Sequence, residues 1–270
     1  MEGVHAIHNG QVILAKDAVV PVTLREVQFG FSTYEALRVV KGHAVHLDDH
    51  LIRLENSCRG IKLSHPFTKE QISTWVYNLI DVDAIEQASL RIQLYGGKDP
   101  QLFVLASSLL SYPDEYYTQG VGAITFAGER LYPSCKTGNL LLNYMALEQA
   151  RSLGCFEALL VDRHHKVLEG TRSNFFAFKG KELYTASDEQ VLLGITRDRV
   201  LKAAVRLGFR IVFDAPDADE VGKGVFDEAF ISSTSMAAMP LSRIDSRNFS
   251  GSYEKTLAIM RLVRSWELDD

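Results

Sequence analysis

The sequence predicts an α+β protein of two domains, and three observations carry that expectation. Strand-like and helical runs follow one another irregularly in both halves, without the steady βαβ rhythm of a doubly wound parallel sheet. Hairpin signals, in which an X-Gly pair separates two apolar runs, recur along the chain. The stretch SYPDEYYTQGV then breaks the pattern with Pro113, acidic residues and a glycine, which places a junction near 111–120. The expected division is an N-terminal domain over 1–113, a linker over 114–120 and a C-terminal domain over 121–270.

Taken in order, AIHNGQVIL turns at Asn9-Gly10 and RVVKGHAVHL turns at Lys41-Gly42, each reading as a hairpin. Asp48 and Asp49 are expected to cap a helix over HLIRLENSCRG, with Leu51, Leu54 and Ile61 on its apolar face and Gly60 at its stop. A second helix over TKEQISTWVYNLI starts from Thr68 and buries Ile72, Trp75, Val76 and Leu79. ASLRIQLYGG and PQLFVLASSLL read as strands. Beyond the junction come the strand VGAITFAGE, the irregular loop RLYPSCKTG, a helix over NLLLNYMALEQARSLG and the strand pair FEALLVDRHHKVLEG. SNFFAFKGKELYTA reads as a hairpin turning at Lys179-Gly180. The helix over TRDRVLKAAVRLG is expected to use Thr196 as its N-cap and Gly208 as its stop, and DEAFISSTS reads as a late strand.

Composition excludes several classes of function. At 46% hydrophobic and 23% charged residues, with a net charge of -5, the 270-residue chain offers no basic surface for a phosphate backbone. No apolar run approaches the ~20 residues of a membrane span. The acidic, strand-like start is not that of a signal peptide, and Cys58, Cys135 and Cys155 follow no disulfide or metal spacing; both features suit a cytoplasmic protein. His43, His46 and His50 cluster, but the first two fall on opposite faces of a strand and have no cysteines to join them, so a metal site is not expected. GxGxxG, GxxxxGK[ST] and GxSxG motifs do not occur.

One lysine stands out. Lys136 is the only lysine between Lys98 and Lys166, and it precedes a helical run. Two phosphate-friendly elements follow it. LLGITRDRV opens a helix whose first N–H groups favour an anion, and FISSTSMAAMP ends a strand with four hydroxyl residues, Ser232 to Ser235. An isolated lysine, a helix start and a hydroxyl cluster together suggest a phosphorylated carbonyl cofactor.

These residues also carry a resemblance. The run from Lys136 to Ala150, EALLVD…VLEGTRSNFF (Glu157 to Phe176), LYT (Leu183 to Thr185), LLGITRDRV (Leu192 to Val200) and DEAFISSTS (Asp227 to Ser235) resemble the class IV, fold-type IV pyridoxal-phosphate enzymes. FGFSTYEALR (Phe29 to Arg38) and HLDDHLIRL (His46 to Leu54) agree with it. That family includes branched-chain aminotransferases, D-amino-acid aminotransferases and 4-amino-4-deoxychorismate lyases. The resemblance implies a smaller N-terminal α/β domain, a larger C-terminal domain with a barrel-like sheet, and a homodimer in which a loop of the second subunit completes the pocket.

Residue by residue, the resemblance makes Lys136 the Schiff-base lysine that holds pyridoxal 5'-phosphate and later moves protons. Glu169 would face the pyridine nitrogen. Arg53 would bind the phosphate together with Ile195, Thr196, Ser233 and Thr234. Tyr34, Arg38, Tyr95 and Ser235 would lie on the substrate side. A free lysine amine, with a reference pKa of about 10.4, needs desolvation or a neighbouring cation before it can attack an aldehyde. An anionic carboxylate keeps a pyridine nitrogen protonated, which a neutral amide cannot do.

Subfamily signatures divide. Tyr-Glu-Ala-Leu-Arg (34–38) is similar to the transaminases. The arginine that the D-amino-acid enzymes place before a glycine is replaced within Leu94-Tyr95-Gly96-Gly97, the threonine typical of the lyases falls at Ala36, and Leu140-Leu141 stand where branched-chain enzymes carry a tyrosine. The expected activity is transamination between an apolar or branched amino acid and a 2-oxo acid. The alternatives are a pyruvate-releasing aminodeoxychorismate lyase and a catalytically silent homologue that retains the cofactor site.

Overall fold

The structure, a computed structural model, describes residues 3–249 and 251–268. It divides into two compact units, one running to Leu110 and including Cys135–Asn139, the other formed by Ser111–Ser134 and the chain from Leu140 onward.

The first unit is built on strands β1 (His5–His8), β2 (Gln11–Leu14), β3 (Ser32–Val40), β4 (His43–Ala44), β5 (Gln87–Tyr95) and β6 (Gln101–Ser107), in the order β2-β1-β6-β5-β3-β4 with every neighbour antiparallel. Both expected hairpins form. Asn9 and Gly10 have φ of 46° and 87°, and Lys41 and Gly42 have φ of 53° and 75°, the left-handed pairs that a two-residue turn needs to follow strand twist. Helix α1 (Arg25–Gln28) is a single turn. Helices α2 (Leu47–Gly60) and α3 (Lys69–Val82) bury Leu51, Leu54, Ile72, Val76 and Leu79 against Leu37, Val39, Leu90, Ile92 and Leu94 of β3 and β5. Thr68 caps α3 as expected, and Gln71 completes a reciprocal box that the sequence reading did not include. Trp75, expected on the buried side, is only partly buried and packs against this core. The start of α2 differs from expectation: Asp48 and Asp49 lie inside its first turn, and the N-cap is His46 at φ 54° without a side-chain cap. There the carboxylates still favour the positive end of the helix.

The period-2 alternation of β3 and β5 gives the sheet two chemically different faces. Leu37, Val39, Leu90 and Ile92 face the helices, whereas Tyr34, Ala36, Arg38, Arg91, Gln93 and Tyr95 point the other way.

In the second unit, helix α4 (Asp114–Gln119) leads into strands β7 (Val121–Ala127), β8 (Glu157–Val161), β9 (Val167–Gly170), β10 (Asn174–Lys179), β11 (Glu182–Thr185), β12 (Arg210–Phe213), β13 (Glu228–Ser233), β14 (Ala237–Ile244) and β15 (Arg247–Asn248). Six of them close on themselves as β10-β13-β14-β7-β8-β9, the ring being completed where Asn174 of β10 pairs with Glu169 of β9. This is the barrel-like sheet that the resemblance implies. Closure explains why β10 is apolar on both sides. Phe175 and Ala177 pack with Ile231, Met239 and Leu159, while Phe176 and Phe178 pack under α6 (Ile195–Arg206) and α8 (Glu254–Ser265). Helix α5 (Leu141–Ser152) covers β7 and β8 through Ala146 and Ala150, and α7 (Ala218–Lys223) precedes β13. The β10–β11 turn is Gly180-Lys181, one residue later than expected, because Lys179 pairs with Glu182.

Candidate functional site

Each unit holds part of the expected residue set. In the first, the strip Cys135–Asn139 lies along β3: Tyr34 N donates to Lys136 O at 3.0 Å, Gly138 N donates to Ser32 O at 2.9 Å, and Thr33 bridges Thr137. Lys136 N donates to Ser57 Oγ of α2 at 2.9 Å. The backbone of Lys136 is therefore held by a strand and a helix at once. A side chain at Gly138 would collide with Ser32 Oγ, and one at Gly60 with Cys135 Sγ, so both positions require glycine for this approach. Lys136 is half-buried, with Nζ 4.5 Å from the centroid of the Tyr34 ring.

Behind Tyr34, on the core face of β3, Glu35 is fully buried and accepts Nε and Nη2 of Arg53 at 2.9 and 2.7 Å. His50 Nδ1 reaches the same carboxylate at 2.7 Å. His50 and Arg53 are three residues apart on α2, so one helix face aims both at Glu35. Burial alone would raise the Glu35 pKa, but the charge and hydrogen bonds of Arg53, helped by His50, bring it down to about 2. Burial also pushes His50 below its ordinary value, and the positive charges of Arg53 and Lys136 act in the same direction, against its bond to Glu35. Because the ionised Glu35 carboxylate can only accept, His50 Nδ1 is the donor in this bond.

The sign of the pH effect follows. Glu35 contributes stability that is complete above the ordinary carboxylate value and is lost as pH falls toward 2, on the order of 3 kcal/mol. His50 titrates lower folded than unfolded, so acid below its ordinary value of 6.5 also favours unfolding. Glu35→Gln is expected to lower the unfolding free energy at pH 7 by roughly 3 kcal/mol, the scale for breaking a buried pair, and to flatten the acid dependence. Urea denaturation at pH 7 and pH 4 measures both; a variant with the wild-type acid slope would assign that slope to other groups.

In the second unit, Glu169 is nearly buried on β9. Its Oε1 accepts Arg130 Nη1 and its Oε2 accepts Leu192 N, both at 3.2 Å. Arg130 Nη1 also reaches Pro133 O at 3.0 Å. Asn174, paired with Glu169 across the ring closure, donates Nδ2 to Leu192 O at 2.8 Å. The loop entering α6 is thereby tied to Glu169 and Asn174. The tie moves the helix start: Gly194, extended at φ -65° and ψ 135°, is the N-cap, and Thr196 lies in the first turn instead of capping it. Gly194 supplies no side chain to this terminus, so the first amides, including those of Ile195 and Thr196, have no side-chain cap.

Asn174 also pairs with Ser232 of β13, whose Oγ is buried without a hydrogen-bond partner. Ser233 ends β13, and Thr234 and Ser235 begin the turn into β14; all three are half-buried, with Ser233 Oγ 3.3 Å from Ser235 Oγ. Arg264 Nη2 holds that turn through Ser235 O at 2.8 Å. An uncapped helix start and a hydroxyl cluster, joined through the Asn174 strand, have the donor chemistry that a phosphate group requires.

The model of the family described as Amino-transferase class IV matches residues 32–244. This chain belongs to the class IV aminotransferase family. Pyridoxal phosphate is the cofactor of that family. A D-alanine aminotransferase of Bacillus licheniformis is 30% identical over 89% of this chain and 88% of its own length. A putative branched-chain-amino-acid aminotransferase of Methanocaldococcus jannaschii is 30% identical over 88% and 87%. Among solved structures, the branched-chain amino acid aminotransferase of Thermobaculum terrenum in its PLP-bound holo-form superimposes with a TM-score of 0.88 at 23% identity, over 100% of this chain and 95% of that one. The last likeness concerns the fold, and it agrees with the fold-type IV architecture expected from the motifs. No described helix is long and apolar enough to cross a membrane.

Of the expected substrate residues, Tyr34 and Arg38 share one face of β3, and Tyr95 ends β5 opposite Ser32. The sequence reading missed Glu35, His50, Arg130 and Asn174 as supports, and Arg91 and Gln93 as neighbours of Tyr34. The alternation of Arg91, Gln93 and Tyr95 with Leu90, Ile92 and Leu94 was a usable signal for the last pair.

Proposed function

We propose that this class IV family member is a pyridoxal-phosphate-dependent transaminase, moving an amino group between an apolar or branched amino acid and a 2-oxo acid. The observation that carries the reading is Lys136: half-buried, fixed by main-chain hydrogen bonds to β3 and α2, and set against the Tyr34 ring beside the polar face of the sheet. Lys136 Nζ would be the amine that holds the cofactor aldehyde, and the same amine would be the base that takes the proton from the substrate α-carbon. The cofactor supplies a carbonyl that takes up the amino group and a ring that withdraws the electron pair left at the α-carbon. Glu169 is the anion for the ring nitrogen, and its two backings, Arg130 and Leu192 N, keep the carboxylate in one orientation.

Arg53, Ile195, Thr196, Ser233 and Thr234 are the phosphate-binding set in this reading. Glu35 fixes the Arg53 guanidinium, and the open start of α6 supplies N–H donors. On the substrate side, Tyr34, Arg38, Tyr95 and Ser235 are joined by Arg91, a cation on the same sheet face that can take a carboxylate. Arg91 offers the charge that Tyr95 lacks in the place where the D-amino-acid enzymes carry arginine. A homodimer belongs to the same reading, supported by the exposed apolar Leu141, Tyr144 and Met145 of α5; a sedimenting mass near that of a single 270-residue chain would remove it.

The test is a two-substrate assay on the holoenzyme. Transamination requires that amino acid and 2-oxo acid are consumed in equal amounts. Pyruvate released from aminodeoxychorismate with no acceptor present, and no exchange with any amino acid, would instead establish the lyase.

A further inference from the structure

The turn between β13 and β14 carries a backbone strain that its own residues do not relieve. Ser233 pairs with Ala237 across it, and Thr234, Ser235 and Met236 form the loop. Met236 N donates to Ser233 O at 3.1 Å. Ala237 follows at φ 57°, the left-handed position where a three-residue hairpin loop ordinarily carries glycine. An alanine pays for that conformation, so the turn needs holding from outside.

Contacts come from α8 and from the segment around α4. Arg264, the penultimate residue of α8, donates Nη2 to Ser235 O at 2.8 Å and Nη1 to Glu267. Tyr117 Oη donates to Met236 O at 3.2 Å, and Tyr112 Oη lies 3.5 Å from Ser235 Oγ. Val263, next to Arg264, is buried in one cluster with Ile259, Ala237 and Ala238, so the guanidinium reaches the turn from a fixed base. Both polar atoms of the Ser235–Met236 peptide are therefore occupied, its oxygen by Arg264 and its N–H by Ser233 O. That plane cannot rotate without breaking a hydrogen bond. Ser233 Oγ and Ser235 Oγ, 3.3 Å apart, keep their places only while it is fixed. A carbonyl oxygen turned toward a bound anion would repel it, and Arg264 holds this one to itself. Glu267 balances the arginine, so the contact acts through geometry rather than as a bare cation.

We propose that Arg264 is a positioning residue that sets the affinity for the phosphate group of the cofactor by locking the Ser235–Met236 peptide and, with it, the hydroxyl turn. The inference rests on the reading of Ser233 and Thr234 as phosphate ligands. It adds the group that keeps their hydroxyls in place and puts it at the far end of the chain, on α8.

The test is equilibrium dialysis of the holoenzyme against graded pyridoxal phosphate and, separately, against pyridoxal, which has the same aldehyde and ring but no phosphate. Absorbance of the lysine-bound form reports occupancy. Arg264→Met is expected to raise the dissociation constant of pyridoxal phosphate roughly tenfold, the effect of losing one hydrogen bond from a charged group, and to leave that of pyridoxal unchanged. Arg264→Lys, which keeps a cationic donor, recovers most of the loss. In a Ser233→Ala/Thr234→Val background, Arg264→Met adds nothing. Parallel weakening of both ligands would show a merely structural arginine and overturn the proposal, as would an unchanged affinity for pyridoxal phosphate or full additivity with the turn variants. If Ser233→Ala/Thr234→Val itself leaves the affinity for pyridoxal phosphate unaltered, the phosphate reading of the turn fails. A loss there with none in Arg264→Met removes the role of Arg264 alone.

Discussion

Lys136→Ala is expected to bring amino-group transfer to background, a loss of roughly four or more orders of magnitude, on the scale seen when a nucleophile and its proton-transfer role are removed together. The backbone of the strip does not depend on the lysine side chain. Its contacts to β3 and Ser57 use main-chain N–H and C=O groups, so the variant should fold and unfold as the wild type does. What is lost is Nζ beside the Tyr34 ring, which in the proposed reading would hold the cofactor covalently and serve as the base for the α-proton. The absorbance of the lysine-bound cofactor should vanish in purified Lys136→Ala, while the free form can still be retained through the phosphate-binding groups. A variant that keeps the lysine-bound band and a tenth of wild-type turnover would place the reactive amine elsewhere in the chain.

Glu169→Gln is expected to keep the cofactor and to slow turnover about a hundredfold or more, an effect typical of losing one charged partner to a developing transition state. The amide is close in shape and can accept hydrogen bonds through one oxygen only. Arg130 and Leu192 N each approach a different carboxylate oxygen, so glutamine satisfies one of them and presents an NH2 group to the other. The substitution therefore disturbs orientation as well as charge, and the α6 entry loop should loosen with it. Restoring the carboxylate as Glu169→Asp recovers charge but not reach, and is expected to be intermediate. Stopped-flow half-reactions separate these effects; a Glu169→Gln enzyme with wild-type rates would show that another group serves the ring nitrogen.

Local chemistry made much of this molecule legible from sequence, and non-local chemistry hid the rest. Asn9-Gly10, Lys41-Gly42 and the Thr68 cap are complete within a few residues, and each reads correctly. Helix α8 has no such signal. Its N-cap is Tyr253 at φ 51° without a side-chain cap, and the amides of Lys255 and Thr256 are capped from another element by the buried Glu228, at 3.2 and 3.0 Å. The early start of α6 has the same origin, since Glu169 and Asn174 hold the loop before it.

The candidate site divides in the same way. Lys136, Glu169 and Arg53 stand in short quotable motifs. The groups that hold two of them are distant in sequence: Glu35 lies eighteen residues before Arg53, and Arg130 thirty-nine before Glu169. The pairing of Cys135–Asn139 with β3 spans roughly a hundred residues and leaves no local trace, which is why the strip belongs to the first unit although its neighbours in sequence belong to the second.

The most direct test of the central claim is the half-reaction. Purified holoenzyme is mixed with single L- and D-amino acids, without any acceptor, while the cofactor spectrum is recorded. Transamination predicts that at least one apolar amino acid converts the lysine-bound band to that of pyridoxamine phosphate, that one equivalent of 2-oxo acid is released per subunit, and that 2-oxoglutarate restores the original band. A spectrum unmoved by every amino acid of either hand, in protein that carries its cofactor on Lys136, would contradict the account.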